Sequence, residues 1–238
     1  MGSPNRTTDF RAGMRSFARR IPGVTRARRR VMRFRRSSGF HGSQQYWNQR
    51  YEQGGTSGQG SYGEFAEYKA GLVNSFVKEN EIRSVVEFGC GDGNQLSLAE
   101  YGHYVGLDVS QKAIDLCRDR FAGDQTKEFF LYRAGDPLPP SWSADMALSL
   151  DVVYHLVEDS TFETYMGDLF AAARRFVVIY TTNDEQWETD PWPFVRHRAV
   201  AKWIDGHVHD WTLHRCVPSP DRTRFLDFLV YRPRDPSG

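Results

Sequence analysis

Apolar residues between positions 85 and 181 come in short blocks separated by polar or helical stretches. Val85-Val86-Glu87-Phe88 is the first, followed by Tyr104-Val105-Gly106-Leu107, Phe129-Phe130-Leu131-Tyr132, Met146-Ala147-Leu148-Ser149-Leu150 and Phe176-Val177-Val178-Ile179-Tyr180. Blocks of this length, rich in branched and aromatic residues and bounded by turn residues, predict buried strands. Residues 94–101 read as helical, a further helix starts at Ser110, and residues 162–175 read as an amphipathic helix. Alternation of this kind requires a parallel sheet with helices on both faces. Upstream, Phe65, Tyr68, Leu72, Val73 and Phe76 form one stripe of a helix over residues 64–79. Residues 211–217 and 224–231, joined by Pro218-Ser219-Pro220-Asp221, form a C-terminal pair of segments. The fold class is α/β, Rossmann-like and doubly wound.

The 238 residues divide unevenly in charge. Residues 1–40 hold twelve arginines and one acid, Asp9, for a net +11, whereas residues 41–238 carry −10. This predicts an Arg-rich extension over 1–40 and a folded domain over 41–238. Within the extension Phe10, Met14, Phe17 and Ile21 recur at helical spacing, and Val24, Ala27, Val31 and Phe34 form a rougher second stripe. Three readings stay open for it: a basic amphipathic helix meeting an anionic membrane surface or an acidic partner through residues 10–36, a solvated disordered extension, or an extension that folds back on the acidic domain. Cys90, Cys117 and Cys216 lack C-x-x-C spacing, which points to a reducing compartment and away from disulfide or zinc frameworks. No apolar run approaches the roughly 20 residues of a membrane span. The expected location is therefore the cytoplasm, peripheral to a membrane if the extension binds one.

The first strand ends in Glu87-Phe88-Gly89-Cys90-Gly91-Asp92-Gly93-Asn94. Glycines there let the backbone turn and approach a ligand, while a following helix would point free N–H groups at it. The second strand ends in Asp108, roughly 20 residues past the glycines, where a carboxylate accepts both hydroxyls of a ribose. Aspartate there also suits the cap of the next helix. A nicotinamide dinucleotide site wants G-x-G-x-x-G, but Gly89-x-Gly91-x-Gly93 is followed by Asn94 and Gln95.

With Glu87 two residues before the first glycine, this segment resembles the E/D-x-G-x-G-x-G signature of class I S-adenosylmethionine (SAM)-dependent methyltransferases. Gly135-Asp136, Leu138-Pro139, the strand opening at Asp145, and Asp151-Val152-Val153-Tyr154-His155-Leu156 follow in that family's order. The resemblance spans roughly residues 46–181. It implies a mostly parallel seven-stranded sheet closed by the C-terminal pair as an antiparallel hairpin. It also implies SAM contacts at Glu87, Gly89, Cys90, Gly91, Gly93, Asp108, Val109 and the adenine-side Asp136. A glycine-rich cover over residues 39–63 adds Tyr51 and Tyr62. Tyr46-Trp47, the segment 58–62 and Val195-Arg196-His197-Arg198 look similar to small bacterial methyltransferases associated with sugar and polysaccharide modification.

Transfer of a methyl group to an alcohol needs a base, and His155 after the fourth strand is the candidate, oriented by Asp151. A histidine packed structurally at the helix start is the competing reading. Asp151, Asn183 and Asp184 could instead hold Mg²⁺. Arg196, His197 and Arg198 read as part of a later helix roofing the acceptor pocket, and Trp187 and Trp192 as faces for a sugar ring. The expected reaction is methyl transfer to a hydroxyl of a small, carbohydrate-like acceptor. A nucleic-acid or protein methyltransferase is the alternative, though the acidic domain would repel a polyanion. A non-catalytic SAM-binding module recruited by its basic tail is the other.

Overall fold

The computed structural model describes residues 40–184, 192–218 and 226–235. The arginine-rich segment 1–39, Trp187 and the turn from Ser219 to Asp221 lie outside the described residues, with the expectations placed on them.

Seven strands form one sheet: β1 (Ser84–Phe88), β2 (His103–Asp108), β3 (Lys127–Leu131), β4 (Ala144–Leu150), β5 (Ala173–Thr182), β6 (Trp211–Pro218) and β7 (Leu226–Pro233). Their order is β3-β2-β1-β4-β5-β7-β6, with β1 to β5 parallel and β7 antiparallel to both its neighbours. The chain moves outward from β1 through β2 to β3, then returns to place β4 on the other side of β1. Ligands in open α/β sheets bind at such a switch point, beyond the carboxyl ends of the strands. The seven-stranded Rossmann-like fold expected from the sequence is the fold observed.

Alternate strand residues feed two cores. Val86, Phe88, Leu107, Ala147, Val177 and Ile179 pack with α4 (Asp159–Ala171) and α5 (Val200–His207). Val85, Tyr104, Met146, Leu148, Val178 and Tyr180 pack with α2 (Gly63–Glu79) and α3 (Gln111–Arg120). Strands this apolar on both faces are what a sheet covered on both sides demands.

Three local expectations need correction. The stretch 94–101 is not a helix: past the glycines the chain makes turns and a single 3-10 turn, Leu96–Leu98. Arg196, His197 and Arg198 precede α5 rather than lie in it, and Arg196 and Arg198 both pair with Asp159. In α2 the buried face is Ala66, Lys69, Ala70, Val73, Phe76 and Val77, while Phe65, Tyr68 and Leu72 are half-buried. The inward face is thus rotated from the most apolar stripe, and it carries a lysine.

Candidate functional site

At the carboxyl ends of β1, β2 and β4 lies a cavity lined among others by Gly89, Gly91, Asp108, Val109, Ala134, Asp151 and His155. Its floor is the turn after β1, where Gly89 and Cys90 donate to the Leu107 carbonyl at 2.7 and 3.0 Å. Asp108 is 6% exposed; its Oδ2 accepts from the Gly91 N–H at 3.0 Å and its Oδ1 from the Ser110 N–H at 2.9 Å. Burial lifts its carboxyl to about 6 against those bonds. A carboxylate has about four acceptor positions, so Asp108 has capacity left for the hydroxyls of a ribose, and it also serves the turn into α3.

Glu87 lies beneath this loop rather than in the cavity. It is 3% exposed, accepts the Tyr104 hydroxyl at 2.6 Å, and is pushed up to about 7 by burial. Cys90 and Gly93 do not line the cavity either. The Cys117 thiol donates to the Gly91 carbonyl at 3.2 Å, and a side chain on Gly93 would meet Phe121 and that sulfur, so both positions pack the loop on α3. Asp136 is exposed and outside the cavity wall.

The second wall is a cover built from α1 (Ser43–Glu52) and the following loop. Ser43 anchors α1, its N–H and hydroxyl donating to Glu158 at 2.9 and 2.7 Å, and Tyr46 stacks on Phe194 at 4.3 Å between centroids. Asp92, in the glycine turn, accepts the Ser57 N–H at 2.9 Å and the Tyr62 hydroxyl at 2.7 Å on one oxygen. The Asp92 N–H donates back to Ser57 Oγ at 2.9 Å, and Tyr51 meets the same hydroxyl at 2.9 Å. Any side chain on Gly91 would sit 2.2 Å from Ser57 Oγ, so this glycine, at φ 61°, admits the cover as well as the turn. Tyr51 lines the cavity, whereas Tyr62 serves the cover through Asp92.

The far end is formed after β4. Asp151 adopts φ 60°, a region aspartate enters more readily than most residues. Its Oδ2 pairs with the buried Lys69 ammonium at 2.5 Å, and its Oδ1 accepts the Tyr154 hydroxyl at 2.9 Å. The hydrogen-bond partner of His155 is therefore not Asp151, as expected, but the Phe194 carbonyl, 2.9 Å from Nδ1. A carbonyl only accepts, so Nδ1 carries the proton and Nε2 is left as an acceptor. Burial lowers the imidazole to about 4, and edge contact with Trp47 encloses it further.

The Mg²⁺ expectation does not fit these residues. A lysine cation already occupies one side of Asp151, and Asn183 Oδ1 accepts the Ala201 N–H at 2.9 Å, capping α5. Among the described residues no group of three metal-binding side chains occurs. Nor is any helix among them long and apolar enough to cross a membrane.

Lys69 and Asp92 were missed in the sequence. Lys69 sits among ordinary helix residues, and its one signal is that it falls between Ala66 and Val73 on the face opposite Glu67 and Gly71. Asp92 lay inside the glycine motif and was read only as a spacer.

Residues 85–175 match the family described as methyltransferase domain. No curated protein matches the chain. Among solved structures it is similar to the methyltransferase domain of bacterial CtHen1-C, with TM-score 0.60, 19% identity and coverage of 71% of this chain and 98% of that one. Similar too is N-methyltransferase NodS from Bradyrhizobium japonicum WM9 in complex with S-adenosyl-L-homocysteine, at TM-score 0.63, 13% identity and coverage of 82% and 100%. Magnesium protoporphyrin IX methyltransferase ChlM from Synechocystis PCC 6803 with bound SAH gives TM-score 0.56 at 14% identity, covering 86% and 94%. Identities this low show a shared fold. The family match covers residues 85–175, and the names of these proteins differ in what they methylate.

Proposed function

We propose that this protein transfers a methyl group from SAM to a hydroxyl oxygen of a small, carbohydrate-like acceptor, with His155 as the base. The observation that carries the reading is that Asp108 and the neutral imidazole of His155 line the same cavity. Asp108 would take the ribose hydroxyls, and Gly89 and Gly91 would let the backbone approach the cofactor. Bound there, SAM supplies an electrophilic methyl group on a sulfonium.

The remaining work falls to the chain. Phe194 fixes the tautomer of His155, so Nε2 is poised to receive the acceptor's proton as the new carbon–oxygen bond forms. A group held at about 4 stays neutral throughout the range from pH 5 upward. Trp47 and Tyr51 offer apolar faces for a ring, and Gln44 and Thr161 offer polar groups for its hydroxyls. The cover excludes water that would compete for the base.

The test is formation of S-adenosylhomocysteine and labelled product from SAM across a panel of hydroxylated acceptors, sugars first. His155→Gln should lower kcat by about 100-fold and leave S-adenosylhomocysteine affinity unchanged. Turnover of a sugar by the variant at the wild-type rate would remove His155 from the chemistry, and methylation confined to amines would overturn the hydroxyl reading.

A further inference from the structure

Lys69 is 1% exposed on the inward face of α2, where lysine is almost never placed without a partner. Its ammonium pairs with Asp151 and lies 5.6 Å from the centroid of the Tyr180 ring. Removing two ions from water costs several kcal/mol each, and apolar residues of similar volume are often as stable in their place. Two further features converge on the same carboxylate. Asp151 has left-handed backbone, and a side chain on Gly60, in the cover, would lie 2.7 Å from Asp151 Oδ2. A buried cation, an unusual turn and a glycine in the cover thus fix one carboxylate at one point of the cavity wall. The fold alone requires none of the three.

Position indicates what that carboxylate meets. Asp108 ends β2 and Asp151 follows β4, on opposite sides of the glycine turn after β1. A nucleoside with its ribose at Asp108 and its base toward Val109 and Ala134 directs its 5′ substituent across Gly89 and Gly91, toward Asp151. Among the described residues, Asp108 and Asp151 are the two carboxylates lining the cavity. We propose that Lys69 is a positioning residue, holding Asp151 as the anionic receptor for the α-ammonium of the cofactor's methionine end. The assignment rests on the SAM reading above. Lys69 compensates the Asp151 charge in the low-dielectric interior and fixes one oxygen, while Tyr154 fixes the other, so the remaining acceptor positions point in set directions.

The experiment compares two ligands by calorimetry: S-adenosylhomocysteine, and 5′-methylthioadenosine, which keeps the nucleoside and thioether sulfur but lacks the amino-acid end. Wild type should prefer the first. The double variant K69M/D151N removes both charges and leaves no unpaired buried ion. It should bind S-adenosylhomocysteine about 10- to 100-fold more weakly, with methylthioadenosine affinity unchanged. Lys69→Arg, which keeps the charge, should recover part of the preference. Should the double variant fail to fold, Tyr154→Phe keeps the ion pair and should narrow the preference severalfold. An undiminished preference, or equal losses for both ligands, would overturn the proposal. Wild type binding methylthioadenosine as tightly as S-adenosylhomocysteine would overturn it while sparing the SAM reading, whereas binding of neither would overturn both.

Discussion

Glu87 and Asp108, in and beneath the floor of the cavity, are lifted above the usual carboxylate range by burial, to about 7 and about 6. Asp92 and Glu158, which tie down the cover, are also penalised by burial, but the hydrogen bonds they accept outweigh it and hold both below that range. The floor carboxylates sit where the sheet puts them, at the ends of β1 and β2, so deeply buried that desolvation outweighs the hydrogen bonds they accept. The cover carboxylates exist to collect donors from a distant segment: Asp92 from Ser57 and Tyr62, Glu158 from Ser43. Lowering the pH from 8 to 5 should therefore titrate the floor and leave the cover tied. One wall of the cavity is set by the fold, and the other is fastened to it.

The largest expected effect comes from breaking the floor. Asp108→Ala removes the charged acceptor for two hydroxyls and the bonds from the Gly91 and Ser110 N–H groups. Hydrogen bonds to charged groups contribute about 1.5–3 kcal/mol each, so S-adenosylhomocysteine affinity should fall at least about 100-fold. Calorimetric titration of both proteins decides it, and affinity within a few-fold of wild type would remove Asp108 from the ribose site.

The floor was largely readable in the sequence because its parts are local. The turn from Glu87 to Gly93 and the acid at Asp108 belong to one strand-turn-strand unit, and apolar blocks announced the strands. The cover was readable as a glycine-rich segment, but its fastening was not: Ser57 meets Asp92 across 35 positions and Ser43 meets Glu158 across 115. Lys69 and Asp151 lie 82 positions apart. No periodicity encodes such pairs. The missing helix after Gly93 has another cause, since Asn94 and Gln95 spend their side-chain amides on the Ser61 and Ala66 carbonyls, tying that stretch to the cover and α2.

A smaller effect should appear in stability rather than binding, beneath the floor. Glu87 binds its proton more tightly in the native state, at about 7, than at its ordinary 4.5. Between those values the folded protein holds a proton that the unfolded chain has released, so stability falls as pH rises through the window and stays lower above it. Glu87→Gln keeps an acceptor for the Tyr104 hydroxyl and removes the charge. At pH 8 the variant should be more stable than wild type by on the order of 2–3 kcal/mol, and the difference should vanish near pH 4.5. Denaturant unfolding at the two pH values checks it. A variant less stable than wild type at pH 8 would mean that the Glu87 charge has a compensating partner.

The smallest effect should come from unfastening the cover. Asp92→Ala deletes the acceptor of the Ser57 N–H and the Tyr62 hydroxyl, yet α1 remains held by Glu158 and by the Tyr46–Phe194 stack. The released donors regain water, so only part of each bond is lost, and S-adenosylhomocysteine affinity should weaken about tenfold. The loss should lie in the dissociation rate, because a closed cover opposes exit more than it assists the first encounter. Stopped-flow measurement of association and dissociation separates the two, with hydrogen exchange over residues 53–62 as a second readout. Faster exchange there together with faster dissociation would show that the cover gates the cavity. Equal losses of affinity in Asp92→Ala and Asp108→Ala would instead mean that the two walls form a single unit, and the contrast between them would disappear.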